Sequence, residues 1–198
     1  MSAAAEPSRS LQKEWWGRSL AVLPHPRAVF AAVRDDSSQE AEEARQEPVL
    51  AIVILAGIAG VLSTSLAGRL LDDSSFDGVN VAIWAFLGGA CYGFVVYWIG
   101  GLMVFALAQG IGARCSFRQA RHVVGLAAAP LALSLILVWP VRIAIYGGDV
   151  FRTGGSDTGL GDKVFEGLVV AAFAWALVLV ALGLVELRKR SSSSSAIS

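Results

Sequence analysis

The sequence predicts an all-α, polytopic transmembrane helix bundle with four spans and an N-terminal cytoplasmic amphipathic segment. Composition is the first observation, because 55% of the 198 residues are hydrophobic and only 16% are charged, whereas soluble domains carry roughly 25% charged residues. Four apolar stretches are the second, since each is long enough to cross a bilayer core about 30 Å thick as a helix. The third is that basic residues concentrate on one side of these stretches. An ordinary soluble domain and a disordered chain are therefore excluded.

The four apolar stretches are Pro48–Gly68, Val79–Gly112, His122–Tyr146 and Val164–Leu187. We expect them to be helical, because lipid offers no partner to free backbone groups and no stretch alternates with the period of a barrel strand. The second stretch has 34 residues, about 51 Å of helix, which is too long for one perpendicular span. We expect its excess to project into the cytoplasm or to bend at Gly100–Gly101, where backbone stiffness is lowest.

Basic residues decide the number and the orientation of the spans. With four spans and the N-terminus inside, twelve Lys and Arg residues lie on the cytoplasmic side, and the outer side holds only Arg69, Arg152 and Lys163. Splitting the second stretch into two spans leaves eight inside and seven outside, which erases the positive-inside bias. The sequence therefore predicts a multi-pass protein of the cell membrane with both termini cytoplasmic. The first apolar stretch is expected to remain as an anchor.

Three segments follow from this topology: a cytoplasmic N-terminal segment (1–47), a four-span domain (48–187) and a basic, then polyserine, tail (188–198) that is expected to be disordered. Apolar residues recur at helical spacing in the first segment, namely Leu11, Trp15, Trp16, Leu20 and Leu23. This helix either lies in the membrane interface or packs on the cytoplasmic ends of the spans.

Two further elements are predicted before the first span. Pro26 begins a second helix in which Val29, Phe30 and Val33 share one face. The charged residues 35–47, which include Arg45, are interpreted as a solvated helix or linker, since runs of charge usually form solvated faces.

Small residues and prolines mark candidate packing sites inside the spans. Ala85, Gly89 and Gly93 form a stripe at spacing four, which allows close approach either to another span of the same chain or to a second copy. Pro130 and Pro140 are expected to bend the third span, because each removes an intrahelical hydrogen bond. Broken helices also occur at transporter binding sites, so a solute site at Pro130 is a second hypothesis.

Arg142 is a basic residue inside a predicted span. It lies about 31 Å of helix beyond Arg121, which places it at the outer interface. There its guanidinium either reaches lipid headgroups or pairs with Glu166, which enters the fourth span at nearly the same depth, with Asp162 just before it.

Several classes of function are disfavoured by the residues present. The formal net charge is zero, so nothing indicates a nucleic-acid partner. Two cysteines and two histidines do not form a four-ligand metal site by themselves, and His25 and His122 are expected at the surface. The glycine-rich residues 153–161 lack the Lys-Ser/Thr ending of a P-loop, and no GxSxG elbow is present. We predict no catalytic, cofactor-binding or metal-binding residue and no small-molecule ligand.

The order of features resembles the bacterial branch of the Yip domain family, the Ypt-interacting membrane proteins, over about residues 20–187. The resemblance rests on PRAVFAAVRDD (26–36), ALAQGIGARCSFRQARHVVGLAAAPLAL (106–133) and WALVLVALGLVEL (175–187). Family members usually have five spans, and their eukaryotic relatives bind small GTPases of the Rab type and serve vesicle traffic. For a bacterial chain the resemblance implies a multi-span scaffold. The residues at motif positions are structural in type: Gly112, Ser116, Phe117, Arg118, Gly125 and Pro130.

Together these features predict a non-enzymatic membrane scaffold or interaction module. Its expected partners are the lipid bilayer and either other membrane proteins or a second copy of the chain. The structural or interaction candidates are Gly89, Gly93, Pro130, Arg142 and Glu166. The alternative function is a small-solute permease or a permease subunit, which would need polar groups at mid-depth facing a cavity.

Overall fold

The computed structural model describes residues 9–36, 38–64, 78–113, 115–147 and 159–194. These residues form helices and no strand. In chain order the helices are α1 (Arg9–Ala21), α2 (Pro26–Asp35), α3 (Gln39–Leu62), α4 (Gly78–Gly110), α5 (Phe117–Ala127), α6 (Ala129–Tyr146) and α7 (Leu160–Ser194). The all-α prediction is confirmed.

Within the described residues, four helical segments are long and apolar enough to cross a membrane. They are Gln39–Leu62, Ala82–Gly110, Phe117–Tyr146 and Gly161–Lys189, as the sequence predicted in number. The second apolar stretch is one span, because α4 is a single helix of 33 residues that continues through Gly100–Gly101. Many large apolar side chains on α4 and α7 are exposed, which is the arrangement expected of surfaces that contact lipid.

The first spanning helix begins earlier than hydropathy predicted. Ser38 precedes α3, and its Oγ accepts a hydrogen bond from the backbone N–H of Ala41 at 3.3 Å, as an N-cap residue does. Glu40 and Glu42 lie in the first turn, where negative charge is favourable. Pro48 therefore lies inside α3 rather than at its start, and the charged stretch is largely part of this helix.

The chain forms two compact units, which are described separately. Unit 1 comprises Met1–Ile52, Val96–Ala129 and Leu177–Ser198, and unit 2 comprises Val53–Val95 and Pro130–Ala176. Helices α1, α2 and α5 belong to unit 1, and its core includes the fully buried side chains of Trp15 and Phe30. Small residues such as Ala56, Ala59 and Ala85 are buried in unit 2.

The third span begins earlier than predicted, is interrupted next to Pro130 as expected and continues through Pro140. Its helical part begins at Phe117, five residues before His122, after a turn in which Gly112 has φ of 78°, a conformation that favours glycine. The helix is interrupted only at Ala128, between α5 and α6. Pro130 is the second residue of α6, in the first turn, where a backbone N–H has no intrahelical partner to lose, whereas α6 continues through Pro140.

Part of the predicted tail can be compared with the structure, whereas most of the predicted outer loops cannot. Helix α7 continues through Ser194, where composition predicted a disordered tail. Extending an existing helix adds one hydrogen bond for each residue that is ordered, so a helix readily propagates beyond its last tertiary contact. The predicted outer loops fall largely on residues 65–77 and 148–158, and residues 195–198 complete the tail. All three ranges lie outside the described residues.

Candidate functional site

The C-terminal end of α2 is the centre of a buried polar network in unit 1. The Arg45 side chain, on α3, is fully buried. Its Nη1 donates to the carbonyl of Val33 at 3.1 Å and its Nη2 to the carbonyl of Asp36 at 2.8 Å, while Nε donates to the carbonyl of Ala41 at 3.2 Å. The last carbonyls of a helix lack intrahelical partners and carry partial negative charge. Arg45 therefore neutralises the end of α2.

Trp15 covers this arginine from the side of α1. The Arg45 guanidinium carbon lies 4.7 Å from the centroid of the Trp15 ring, within the range of a cation–π interaction. Trp15 has no exposed surface, whereas its neighbour Trp16 is 40% exposed and Leu20 is 73% exposed. Helix α1 thus packs on unit 1 through Trp15. Trp16 and Leu20 remain exposed and can contact the membrane interface.

Gln119 of α5 completes the cap on α2. Its Nε2 donates to the carbonyls of Val33 and Arg34, both at 3.4 Å. The same side chain accepts from the backbone N–H of Ser116 at 3.0 Å, while Ser116 Oγ accepts from the Gln119 N–H at 3.1 Å. This reciprocal pair is a capping box, so one glutamine both starts α5 and binds α2.

Ion pairs extend the network to α7 and back to α3. Arg34 pairs with Asp35 at 2.7 Å and with the buried Glu186 of α7 at 3.3 Å. The hydrogen bond from Arg34 to Asp35 is the main reason that the pKa of this guanidinium is raised further. Arg118 of α5 pairs with Glu42 at 2.7 Å, and the Arg118 side chain is 49% exposed. These ion pairs attach α2 to α7 and α5 to α3 within unit 1.

Arg121 of α5 lies in a cluster of aromatic rings. Its guanidinium carbon is 4.0 Å from the Trp98 ring centroid, 5.0 Å from that of Phe117 and 5.5 Å from that of Tyr97. Its aliphatic stem crosses α4 at Gly101, where a Cβ atom would overlap the Arg121 side chain. The glycine pair that suggested a bend is therefore a site of close helix approach.

His122 is buried, with 2% of its surface exposed, so the expectation of a surface histidine is wrong for this residue. Because α5 begins at Phe117, His122 lies in the second turn on the side that packs inward, beside the buried Val123. Its Nδ1 has no hydrogen-bond partner among the described residues. His25 precedes α2 and is exposed, as predicted.

Gly89 and Gly93 lie in unit 2 against α3 of the same chain. A Cβ at Gly89 would lie 2.5 Å from the Ile58 Cα, and one at Gly93 would overlap the Val53 carbonyl oxygen. Gly57 of α3 faces the same two glycines, since a Cβ there would lie 2.7 Å from the Gly93 Cα. This stripe therefore packs within the chain, which is the first of the two alternatives that the sequence left open.

Arg142 pairs with Asp162, and the two side chains are only 16% and 14% exposed. Glu166, the partner that the sequence favoured, lies one turn further along α7 and is exposed. The fourth spanning helix begins at Leu160, before the predicted Val164, so Asp162 already lies within its first turn and faces α6. The side chain of Pro130 is buried.

Sequence reasoning missed three residues of unit 1 whose side chains each contact several other residues, namely Arg45, Gln119 and Arg121. A signal existed for one of them, since Ser116 followed by Gln119 has the spacing of a capping box. No cluster of three or more His, Cys, Asp or Glu side chains with metal-site geometry occurs within the described residues. The contacts of Arg45, Gln119 and Arg121 join α1, α2, α3, α4 and α5 within unit 1.

A family model supplies the classification. The Yip1 domain model matches residues 20–198, which contain α2 through α7. The chain belongs to the Yip1 domain family. It is accordingly an integral membrane protein of the Yip type, and the resemblance drawn from 26–36, 106–133 and 175–187 is confirmed at the level of the family. Comparison with curated proteins and with solved structures gives no match.

Proposed function

We propose that this Yip1 domain protein is a non-enzymatic scaffold of the cell membrane, of the bacterial branch of its family, that binds other membrane proteins through unit 1. Its termini lie in the cytoplasm, a topology supported by the twelve basic residues on that side of the four spans. The resemblance of residues 106–133 supports the bacterial branch.

The buried polar network of unit 1 is the observation on which this proposal rests. Arg45 and Gln119 hold the end of α2 by hydrogen bonds to backbone carbonyls, and Trp15 holds α1 on top of Arg45. Two short helices outside the four spans are thus held in defined positions. A surface that is ordered before a partner arrives loses less entropy on binding, so unit 1 is suited to recognise other proteins.

A small-solute permease is the competing function, and the break before Pro130 is the feature that favours it. The residues around the break are alanine and leucine, in the run LAAAPLAL (126–133), and they offer no polar side chain to a solute. In unit 2, the buried Ser134 hydroxyl donates to the carbonyl of Leu131 in its own helix at 2.7 Å. Close contact at Gly57, Gly89 and Gly93 leaves no space between α3 and α4 at that point. These observations favour the scaffold.

Affinity capture from a detergent extract tests the proposal when the wild type is compared with variants at two buried arginines. Arg45→Gln removes donors from the end of α2 and is expected to open unit 1, so that trypsin cleaves after Arg18 in α1 or after Arg27 in α2. Arg142→Gln is the matched control, because it removes a buried arginine from unit 2. We expect the proteins that copurify with the wild type to be lost with Arg45→Gln and retained with Arg142→Gln.

Two results would contradict the scaffold. One is an unchanged set of copurifying proteins after proteolysis has shown that unit 1 is open. The other is the absence of any enriched protein together with solute flux in proteoliposomes, which would establish the permease instead.

A further inference from the structure

Arg121 is half-buried, and one of its N–H donors is buried without a partner among the described residues, which costs free energy. It forms no hydrogen bond and no ion pair with any residue that the structure describes, and its Nε is buried without a partner there. A guanidinium has five N–H donors at its edge and no acceptor. The ring faces of Trp98, Phe117 and Tyr97 attract the cation but supply no lone-pair acceptor to these donors. The described residues therefore supply no acceptor to this site.

The surroundings of Arg121 indicate where the acceptor comes from. Trp98 is 42% exposed, and the same stretch of α4 presents further large apolar side chains to the outside of unit 1, namely Ile99, Leu102, Met103 and Leu107. Such a surface contacts acyl chains in an integral membrane protein. A guanidinium beside that surface is within reach of lipid headgroups, towards which arginine side chains commonly extend.

We propose that Arg121 and its aromatic cluster bind the phosphate group of a membrane lipid. A phosphate oxygen accepts charge-assisted hydrogen bonds from the planar edge of the guanidinium, and arginine matches this geometry with two parallel donors. Cation–π contacts with Trp98 and Phe117 hold the guanidinium in place. The acyl chains of the lipid lie along the exposed apolar side of α4. Lipid binding at this site does not require a protein partner, so its test is independent of the test of the scaffold function.

Native mass spectrometry of the purified full-length chain in a nonionic detergent tests the site. The probes are phosphatidylglycerol, diacylglycerol with the same acyl chains and inorganic phosphate. We expect phosphatidylglycerol to remain bound to the wild type, and Arg121→Gln to weaken this binding about tenfold, as the loss of a charge-assisted hydrogen-bonded contact implies. Diacylglycerol, which lacks the phosphate, should bind equally weakly to both.

Arg118→Gln is the matched control, since it removes the same charge three residues away, and it should change phosphatidylglycerol binding by less than about twofold because surface charges contribute little. Arg121→Lys keeps the charge but loses the planar edge, so its affinity should lie between those of the wild type and Arg121→Gln. Resistance of α1 and α2 to trypsin establishes that each variant is folded, and Arg121→Lys provides the test if Arg121→Gln is not.

Three outcomes would either contradict the phosphate site or identify the source of the phosphate that it binds. Equal retention of phosphatidylglycerol by the wild type and by folded Arg121→Gln and Arg121→Lys would overturn the proposal. So would binding of diacylglycerol that depends on Arg121, because the phosphate would then play no part. If inorganic phosphate displaced the lipid from the wild type but not from these variants, the phosphate site would be supported. Its ligand would then be free phosphate rather than a lipid.

Discussion

Arg45 and Arg142 are both mostly buried within spanning helices, and they are accommodated in different ways. Arg45 is surrounded by neutral backbone carbonyls, three of which accept its hydrogen bonds, and the partial negative charge at the end of α2 offsets its positive charge. Arg142 instead has the carboxylate of Asp162 as its partner. The first arrangement ties helices together through the backbone, whereas the second depends on one acidic side chain.

Adjacent tryptophans on α1 give a test at the scale of single residues. Trp15 is fully buried over Arg45, and Trp16 is 40% exposed. We expect Trp15→Ala to lower the free energy of unfolding by about 3–5 kcal/mol, because it removes a large buried ring. Trp16→Ala should change it by less than about 1 kcal/mol. Thermal unfolding in detergent measures both, and equal shifts would show that α1 does not pack through Trp15.

The Arg142–Asp162 pair predicts a non-additive pair of substitutions. Asp162→Asn alone leaves a partly buried cation without its partner and should destabilise the protein by about 1–3 kcal/mol. Adding Arg142→Met should recover part of this loss, since no charge is then stranded. Glu166→Gln is the control, because Glu166 is exposed, and it should be nearly neutral. The pair would be excluded if the double variant lost as much free energy of unfolding as the two single variants together.

At the scale of elements, the contact between α3 and α4 in unit 2 depends on missing side chains. Van der Waals contact replaces the hydrophobic driving force between helices in lipid, so close backbone approach is what stabilises this pair. Gly57, Gly89 and Gly93 provide that approach. The interaction occupies the glycine face, which is consequently engaged within the chain.

Neighbouring glycines on α4 provide a matched test of this contact. A Cβ at Gly89 would lie 2.5 Å from the Ile58 Cα, whereas one at Gly88 would have nothing within 4 Å. We expect Gly89→Ala to destabilise the protein by about 1–3 kcal/mol through overpacking and to lower the folded yield in detergent. Gly88→Ala should leave both unchanged or improve stability by about 0.5 kcal/mol. A loss of similar size in both variants would indicate a helix-wide effect instead.

At the scale of the whole molecule, orientation can be measured with the native cysteines. Cys115 lies in the segment between α4 and α5, and Cys91 lies within α4. With cytoplasmic termini, an impermeant maleimide should label Cys115 only after permeabilisation of the cells. Cys91→Ser isolates this signal, since the variant keeps Cys115 as the one remaining cysteine. Labelling in intact cells would reverse the proposed topology.

The reactivity of Cys115 should also depend on pH in a defined way. Partial burial raises the pKa of its thiol, because burial disfavours the charged thiolate. The thiolate is the nucleophile, so the alkylation rate of the folded Cys91→Ser protein should rise at a higher pH than that of the same chain unfolded in denaturant. Coincident pH profiles for the folded and unfolded chain would show that the thiol is not buried.

Hydropathy and local spacing by themselves determined the helical class, the number of spans, the start of α2 at Pro26 and the buried face of Val29, Phe30 and Val33. These features depend on the length of apolar runs and on contacts within a few residues, which the order of residues contains directly. The capping box of Ser116 and Gln119 was missed, although its spacing and its two local hydrogen bonds made it predictable in the same way.

Tertiary structure alone decided which polar groups are buried and with whom. Arg45 stands in a charged run whose composition predicts solvation, but the end of α2 supplies the carbonyls that bury it. Asp162 and Glu166 differ by one turn, and only the packing of α6 selects Asp162. His122 and Arg121 are neighbours, yet one is buried and the other stacks on Trp98. Each outcome depends on the rotation of one helix against another, which residues distant in the chain determine together.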